Sequence, residues 1–329
     1  MASSLTWRLL LLRGLAGVAV FALANLITYR AVGYFQREHE YHAEVSQYFD
    51  RPAASALFAG DSHVAQLDND LLADNAYNIA WGGDSLREVY AKLRYLLSRQ
   101  AHIRTLFLTA DPHMFGEGRL QSSNRAFVDE YLLLTASPYG FDKGWPSAAL
   151  GTVPLFNDDF VQYLKKKVSV SLKHVPVRVE DEDAGSWLAL SETEREQQAR
   201  ATGIGDHRGI GDHPEPFQWF GRIAALAHEH GIRIIAVQYP SHPAYIQAIS
   251  PQADALVNAE LARAGVTDII DLRNVFADPS LFKDEDHVSR KGAIALLHIL
   301  SQRTRQPLLA KGVVAGGRPV APAGSISKM

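Results

Sequence analysis

Short apolar runs alternate with helical patterns along most of the chain. Five compact apolar runs predict buried strands, namely "ASALFAG", "AYNIA", "IRTLFLTA", "IRIIAVQY" and "VTDIIDL". Between them, "SLREVYAKLRYLLSR", "FQWFGRIAALAHEHG" and "PQADALVNAELARAG" carry apolar residues at helical spacing, and the last two end on a glycine typical of helix ends. This alternation predicts an α/β fold with a doubly wound, mostly parallel sheet. Its ligand site is expected at the carboxyl ends of the strands.

The N-terminal segment has a different pattern. About sixteen uncharged positions separate Arg13 from Arg30, and no acidic residue interrupts them. Residues 1–34 are therefore predicted to be a short stub and one membrane-spanning helix. A cleaved signal peptide is the alternative, since Ala-Leu-Ala at 22–24 resembles a cleavage site. Interfacial tyrosines at the end of the run favour an uncleaved anchor, and in both cases the folded part lies outside the cytoplasm.

The remaining chain divides by composition into three parts. Residues 35–52 are polar and aromatic and are predicted to link the anchor to a domain spanning 53–307. Within that domain, the interval from about 112 to 214 does not follow the alternation and is predicted to be an insertion over the carboxyl edge of the sheet. It would shape a substrate groove or partner surface, or serve only as a packing subdomain. Residues 308–329 have few large apolar side chains and are predicted to be a disordered tail.

Composition narrows the classes of function. The chain has 329 residues, 47% of them apolar, which is enough for one sizeable core. Its net charge is −3 with no long basic block, so no nucleic-acid partner is predicted. Cysteine is absent, which excludes disulfides, thiolate nucleophiles and cysteine-ligated zinc. No cofactor is predicted.

The first predicted strand runs directly into Gly60-Asp61-Ser62-His63. The segment that follows, residues 63–75, has helical spacing, so Ser62 is expected at a strand-to-helix junction. Free backbone N–H groups and the helix dipole favour a developing negative charge there. Two interpretations fit this position. Ser62 or Asp61 is only an N-cap, or Ser62 is a nucleophile.

A second segment, "DEDH", places His287 three residues after Asp284 and just before an apolar helix. A carboxylate at this spacing can hold one ring nitrogen while the other faces a serine. The alternative is that His287 and Asp286 cap the helix beginning near Ser289. Taken together, the two segments predict Ser62 as nucleophile, His287 as acid and base, and Asp284 as the group that orients His287.

With these motifs the chain resembles the SGNH/GDSL hydrolase superfamily over about residues 53 to 305. The resemblance implies a flavodoxin-like three-layer sandwich of SGNH type. The family's second motif, N-x-G-x-x-G, is matched by Asn78 and Gly83, with Ala80 in place of the first glycine. The resemblance thus implies an oxyanion hole formed by the backbone N–H groups of Ser62 and Gly83.

The third motif departs from the family. Members usually have G-x-N-D after the third strand, and the asparagine is an oxyanion donor, whereas this chain has Asp111 in that place, in "LTADP". An ionised Asp111 would repel the oxyanion, and losing one donor costs on the order of 100-fold in rate. Similar departures are found among membrane-anchored SGNH-like proteins, such as the alginate O-acetylation proteins and the D-alanine transfer protein of teichoic acids.

The resemblance therefore implies a membrane-anchored serine O-acyltransferase, most simply an O-acetylating enzyme acting on a polysaccharide. Its acyl donor would be a small molecule or a multi-pass, MBOAT-like membrane partner. It would be single-pass in the bacterial inner (cytoplasmic) membrane, with its catalytic domain on the periplasmic side. The alternatives are an SGNH esterase or deacetylase, and a non-catalytic polysaccharide-binding or scaffold protein.

Further residues are candidates for contact with substrate, namely Asp61, His63, Asp111 and His113; for His63, simple packing is the alternative. In "GIGDHRGIGDH" a near-repeat places His207 and His213 each after an aspartate. Such pairs can bind zinc, but the spacing matches no standard ligand motif. A mobile surface loop is predicted instead, and no metal.

Overall fold

The computed structural model describes residues 3–31, 34–121, 124, 127–128 and 185–313. The middle of the predicted insertion and residues 314–329 of the predicted tail lie outside these residues. Within the described part, residues up to Ala43 belong to one compact unit and those from Glu44 onward to another.

The second unit is built on a parallel sheet of five strands in the order β2-β1-β3-β4-β5. Each strand lies inside one of the predicted apolar runs, and together they confirm the α/β class with a parallel sheet, consistent with a flavodoxin-like sandwich. The strands are β1 (Ala56–Ala59), β2 (Ala76–Asn78), β3 (Thr105–Thr109), β4 (Arg233–Gln238) and β5 (Ile269–Asp271).

The predicted helices are also present, and their ends follow local chemistry. Gly231 and Gly265 have positive φ angles of 65° and 76° just beyond two helices, where glycine is favoured. The described helices are α1 (Ser3–Ala31), α2 (Tyr34–Ser46), α3 (Ser62–Ala65), α4 (Leu86–Ser98), α5 (Gly185–Leu188), α6 (Glu192–Asp206), α7 (Glu215–Glu229), α8 (Pro243–Ile246), α9 (Pro251–Arg263) and α10 (Arg290–Thr304).

Strand register places the segments after β1 and β3 at the same edge. Phe58 pairs with Phe107, and their rings stack with centroids 4.5 Å apart. Gly60 follows β1 because the packing there leaves no room for a side chain. A Cβ at this position would lie 2.7 Å from Thr109 Cγ2 and 2.5 Å from Val64 Cγ2. The chain leaving β1 is thereby held against the chain leaving β3.

The helix after Ser62 is shorter than the apolar spacing predicts, because α3 ends at Ala65. The later apolar residues Leu67 and Leu71 are still buried, but in turns. Asn69 stabilises these turns: its side chain accepts from Asn78 N–H at 2.8 Å and donates to Asn78 O at 2.9 Å. A helix of four residues has too few aligned peptide groups for the dipole expected at Ser62.

The domain also extends beyond residue 307, where the sequence placed its end. Leu308 is fully buried, and its carbonyl accepts from Ala73 N–H at 2.9 Å. Ala310 N–H donates to Leu71 O at 2.8 Å. Residues 308–310 therefore belong to the folded domain.

In the first unit, α1 contains the 21-residue segment Trp7–Ile27, which is long and apolar enough to cross a membrane. A signal sequence near an N-terminus has the same length and composition. Residues of the predicted linker are helical, in α2 and in a 3-10 turn at Gln47–Asp50.

Candidate active site

Asp61, rather than Ser62, caps the short helix after β1. The Asp61 carboxylate accepts from His63 N–H at 3.3 Å, and Ser62 is the first residue of the helix. The Ser62 hydroxyl makes no hydrogen bond to any residue in the described part of the chain. The cap interpretation is therefore confirmed for Asp61 and wrong for Ser62, whose hydroxyl is not used by the local fold.

The turn after β2 lies against Ser62. A Cβ placed on Gly82 would be 3.9 Å from Ser62 Cβ, and the adjacent Gly83 has a φ of 84°, which favours glycine. Asn78 holds the two segments together, because its side-chain amide donates to Val64 O at 2.8 Å and to Leu67 O at 2.9 Å. Donation to an oxyanion by the N–H groups of Ser62 and Gly83 stays a prediction.

Asp284 and His287 form the expected pair. His287 Nδ1 lies 2.8 Å from Asp284 Oδ1 and 2.9 Å from Asp286 Oδ1. Ionised carboxylates can only accept, so Nδ1 carries the proton and Nε2 is the nitrogen that a neutral His287 leaves unprotonated. The helix-cap interpretation of His287 and Asp286 does not hold, because Ser289 Oγ accepts from Gly292 N–H at the start of α10.

Two Asp-X-His triplets follow β1 and β3, and the histidine of each triplet pairs with the aspartate of the other. His63 Nδ1 lies 3.0 Å from Asp111 Oδ2, and His113 Nε2 lies 2.7 Å from Asp61 Oδ2. Arg119 also donates to Asp61. The exchange follows from the sheet, because β1 and β3 are neighbours and release their next residues at the same edge.

His63 also reaches the C-terminal motif. Its Nε2 lies 3.2 Å from Asp286 Oδ2, while the other oxygen of Asp286 is bonded to His287. The rings of His63 and His287 are nearly perpendicular, with centroids 5.1 Å apart. Asp111, His63, Asp286 and the half-buried His287 thus form one continuous chain of carboxylate–imidazole contacts, which we call the Asp–His chain.

Asp111 does not present an unpaired charge to the site. Its Oδ1 accepts from Tyr239 N–H at 2.8 Å, and its Oδ2 faces His63 and Thr109 Oγ1, the latter at 3.3 Å. Both oxygens are therefore occupied by donors from β3, from the residue after β4 and from the segment after β1. The repulsion expected from an aspartate at this position is relieved by these donors.

Burial and neighbouring charges shift the titration of the site strongly. Burial raises the pKa of Asp61, but Arg119, His113 and His63 outweigh it and hold this pKa well below its usual value. Burial lowers the pKa of His287, yet Asp286 and Asp284 raise it to about 10. At neutral pH the resting His287 is therefore an imidazolium, and its base form increases with pH.

Part of the predicted insertion holds the loop that carries Asp284 and His287. Gln198 and Thr202 of α6 donate to the two carboxylate oxygens of Glu285, each at 2.7 Å. Glu285 is buried and stands between Asp284 and Asp286 in the sequence. Sequence reasoning placed the insertion over this edge but did not identify Glu285 as its anchor.

The four candidate substrate contacts, Asp61, His63, Asp111 and His113, are at most 3% exposed and are bonded to one another. Direct contact of these residues with substrate stays a prediction. The near-repeat separates into two environments: His207 is buried and packs edge-on against Tyr245, whereas His213 is exposed.

Two groups of ligand-type atoms lie close enough to surround a cation, each within 4.8 Å. They are Asp61 with His63 and His113, and His63 with Asp286 and His287. Their polar atoms already bond to one another, and the Arg119 guanidinium on Asp61 would repel a cation. We therefore describe them as a hydrogen-bonded network.

No protein-family model matches the chain, and no curated protein matches it. The resemblance to the SGNH/GDSL superfamily therefore stays a prediction that rests on the motifs around Ser62, Gly83 and His287.

Proposed function

We propose that the chain is a membrane-anchored serine O-acyltransferase of SGNH type, which transfers an acyl group, most simply acetyl, to a hydroxyl of an extracytoplasmic polysaccharide. The observation that carries this proposal is the state of His287. Two carboxylates hold its Nδ1–H, so Nε2 is its proton-accepting atom. The residue next to Ser62 lies against it, with ring centroids 5.1 Å apart.

In the proposed reaction, Ser62 Oγ attacks the carbonyl carbon of the acyl donor and its proton passes to His287 Nε2. His287 returns that proton to the leaving oxygen of the donor, and an ester of Ser62 remains. A sugar hydroxyl then attacks this ester, gives its proton to His287, and releases Ser62 when His287 protonates Oγ. Contacts between nucleophile and base often tighten only when substrate is bound, so the open Ser62 hydroxyl of the free protein fits this scheme.

The anchor favours transfer to a polymer over release of a soluble product. The segment Trp7–Ile27 is long enough to hold the domain at a membrane surface, where an MBOAT-like protein would supply the acyl group. We place the protein in the bacterial inner membrane with the domain on the periplasmic side. Esterase activity needs the same residues and differs only in that water attacks the acyl-serine.

The raised pKa of His287 predicts an enzyme whose activity increases towards alkaline pH. Only neutral His287 accepts the Ser62 proton, so the catalytic efficiency, kcat/KM, should rise with pH. The rise should be about tenfold per pH unit below the pKa and level off near the His287 value of about 10.

The test uses the full-length protein in detergent with 4-nitrophenyl acetate, with and without a de-O-acetylated oligosaccharide. We expect ester turnover with this pH dependence, and a loss of at least about 1,000-fold in Ser62→Ala and His287→Gln. The exposed Ser98→Ala is the matched control and should keep wild-type turnover. Acetylated oligosaccharide in the products supports transfer, and release to water alone supports the esterase. Turnover that survives Ser62→Ala would refute the nucleophile.

A further inference from the structure

His63 lies between two carboxylates, and this fixes its proton count. Nδ1 faces Asp111 and Nε2 faces Asp286, at 3.0 and 3.2 Å. A neutral imidazole carries one N–H and would direct a lone pair at one of these oxygens. With both carboxylates ionised, both contacts are hydrogen bonds only if both ring nitrogens are protonated.

Each of the two carboxylates also lies within reach of a second donor. Asp111 accepts from Tyr239 N–H, and Asp286 Oδ1 lies 2.9 Å from His287 Nδ1. Burial raises the pKa of Asp286, but His287 and His63 hold it well below its usual value. Asp286 therefore does not need to supply the proton that His63 requires.

The groups that face His63 come from every element around it. Burial lowers the pKa of His63, but the surrounding carboxylates outweigh this and raise it well above its usual value. Neighbouring imidazoles act in the opposite direction when they are protonated. The facing groups are Asp61, Asp111 and Asp286 as anions, and His113, His207 and His287 as bases or cations.

We propose that His63 is a resident imidazolium and a positioning residue, which holds Asp286 between two imidazole rings and thereby sets the orientation and the basicity of His287. The effect on catalysis rests on the acyl transfer proposed above. The charge of His63 is independent of that proposal.

The charge of His63 should lower the pKa of His287. Asp286 is shared, with one oxygen bonded to His63 and the other to His287. The His63 cation offsets part of the Asp286 charge and also repels a proton on the ring 5.1 Å away. Both effects favour neutral His287. Loss of the His63 charge should therefore raise the pKa of His287 and make the base form rarer.

The first test measures His63 directly. Full-length protein in detergent, labelled with carbon-13 and nitrogen-15 in its histidine rings, is titrated by NMR, and His63 signals are assigned by their absence in His63→Gln. We expect both His63 ring nitrogens at imidazolium shifts throughout pH 6 to about 8.5. A His63 that titrates near its ordinary pKa of about 6.5 would overturn the proposal.

The second test measures the coupling. In His63→Gln the titration midpoint of His287 should rise by about one pH unit or more, and in Asp286→Asn it should fall by a similar amount. His298→Gln, an exposed change on α10, is the matched control and should leave the midpoint unmoved. A His287 midpoint that is unchanged or lower in His63→Gln would overturn the positioning role.

The activity readout separates this inference from the proposed function. If the wild type turns over ester, the midpoint of the rise of kcat/KM with pH should move to higher pH in His63→Gln. The move should equal the change in the NMR midpoint of His287. A purely structural defect would lower kcat/KM at every pH without moving the midpoint of its rise, and this result would contradict the positioning role. If the wild type shows no turnover but the NMR shifts appear, the acyltransferase fails and the charge assignment stands.

Discussion

Asp111 occupies the position where the resembled family has an oxyanion-donating asparagine, and its contacts give it a different task. Its two oxygens receive Tyr239 N–H, His63 Nδ1 and Thr109 Oγ1. A carboxamide has a single oxygen acceptor, and its NH2 group would face one of these donors. Asp111 therefore ends the Asp–His chain at the residue after β4 and is not an incomplete version of the family residue.

Asp111→Asn should destabilise the protein without improving catalysis. We expect the free energy of unfolding to fall by about 1–3 kcal/mol because a buried donor loses its acceptor. Urea unfolding of the full-length chain measures this, with the exposed Asp74→Asn as the control. Unchanged stability together with a gain of about 100-fold in ester turnover would show instead that the asparagine restores an oxyanion donor.

Among individual residues, the sequence predicted the pairing of Asp284 with His287, because a short spacing within one loop brings them together. The exchange of partners between His63 and His113 was missed, since it depends on β1 lying beside β3. The repeated Asp-X-His triplet at 61–63 and 111–113 was the available signal.

Among the elements, α6 has the most specific relation to the site. Two of its side chains donate to Glu285, which stands in the loop that carries Asp284 and His287. A loop whose buried carboxylate is held by a helix is fixed at its middle as well as at its ends. The described part of the insertion therefore stabilises the loop that positions His287.

Thr202→Val should loosen that loop. The change keeps the side-chain shape and removes the hydroxyl that donates to Glu285, so we expect a loss of about 1–3 kcal/mol in stability. Hydrogen exchange at amides 283–288 should become faster. Thr193→Val is the matched control, because Thr193 is exposed on the same helix. Equal exchange in the two variants would contradict the role given to α6.

Strand positions followed from apolar runs, because buried parallel strands need no polar face. The length of α3 did not, since Asn69 forms side-chain bonds to Asn78 that turn the chain before Leu72. The spacing of apolar residues indicates which side chains are buried. Here the buried leucines lie in the turns after α3, so the spacing did not give the length of the helix.

For the whole molecule, the arrangement that matters is an apolar segment at Trp7–Ile27 followed by a domain with a polar, charged site. We propose that the domain faces away from the cytoplasm, where a polysaccharide would be available. The absence of native cysteine makes this orientation directly measurable, since any introduced thiol is unique.

We expect Asp74→Cys to react with a membrane-impermeant maleimide in intact cells and Ala2→Cys to react only after lysis. The reverse pattern would place the domain in the cytoplasm. If the protein isolated from the Ala2→Cys cells lacks that cysteine, the N-terminal segment is removed as a signal peptide and is not an anchor. Composition and hydropathy predicted the apolar segment, but similar charges on its two sides left its orientation to measurement.

The central claim is that Ser62 is a nucleophile activated by His287. A serine-directed fluorophosphonate, which phosphonylates an activated hydroxyl with loss of fluoride, followed by peptide mapping, tests it most directly. We predict a single labelled serine, Ser62, with labelling that rises with pH and falls at least about 100-fold in His287→Ala. Labelling at another serine, or labelling of Ser62 that is the same in His287→Ala, would contradict the claim.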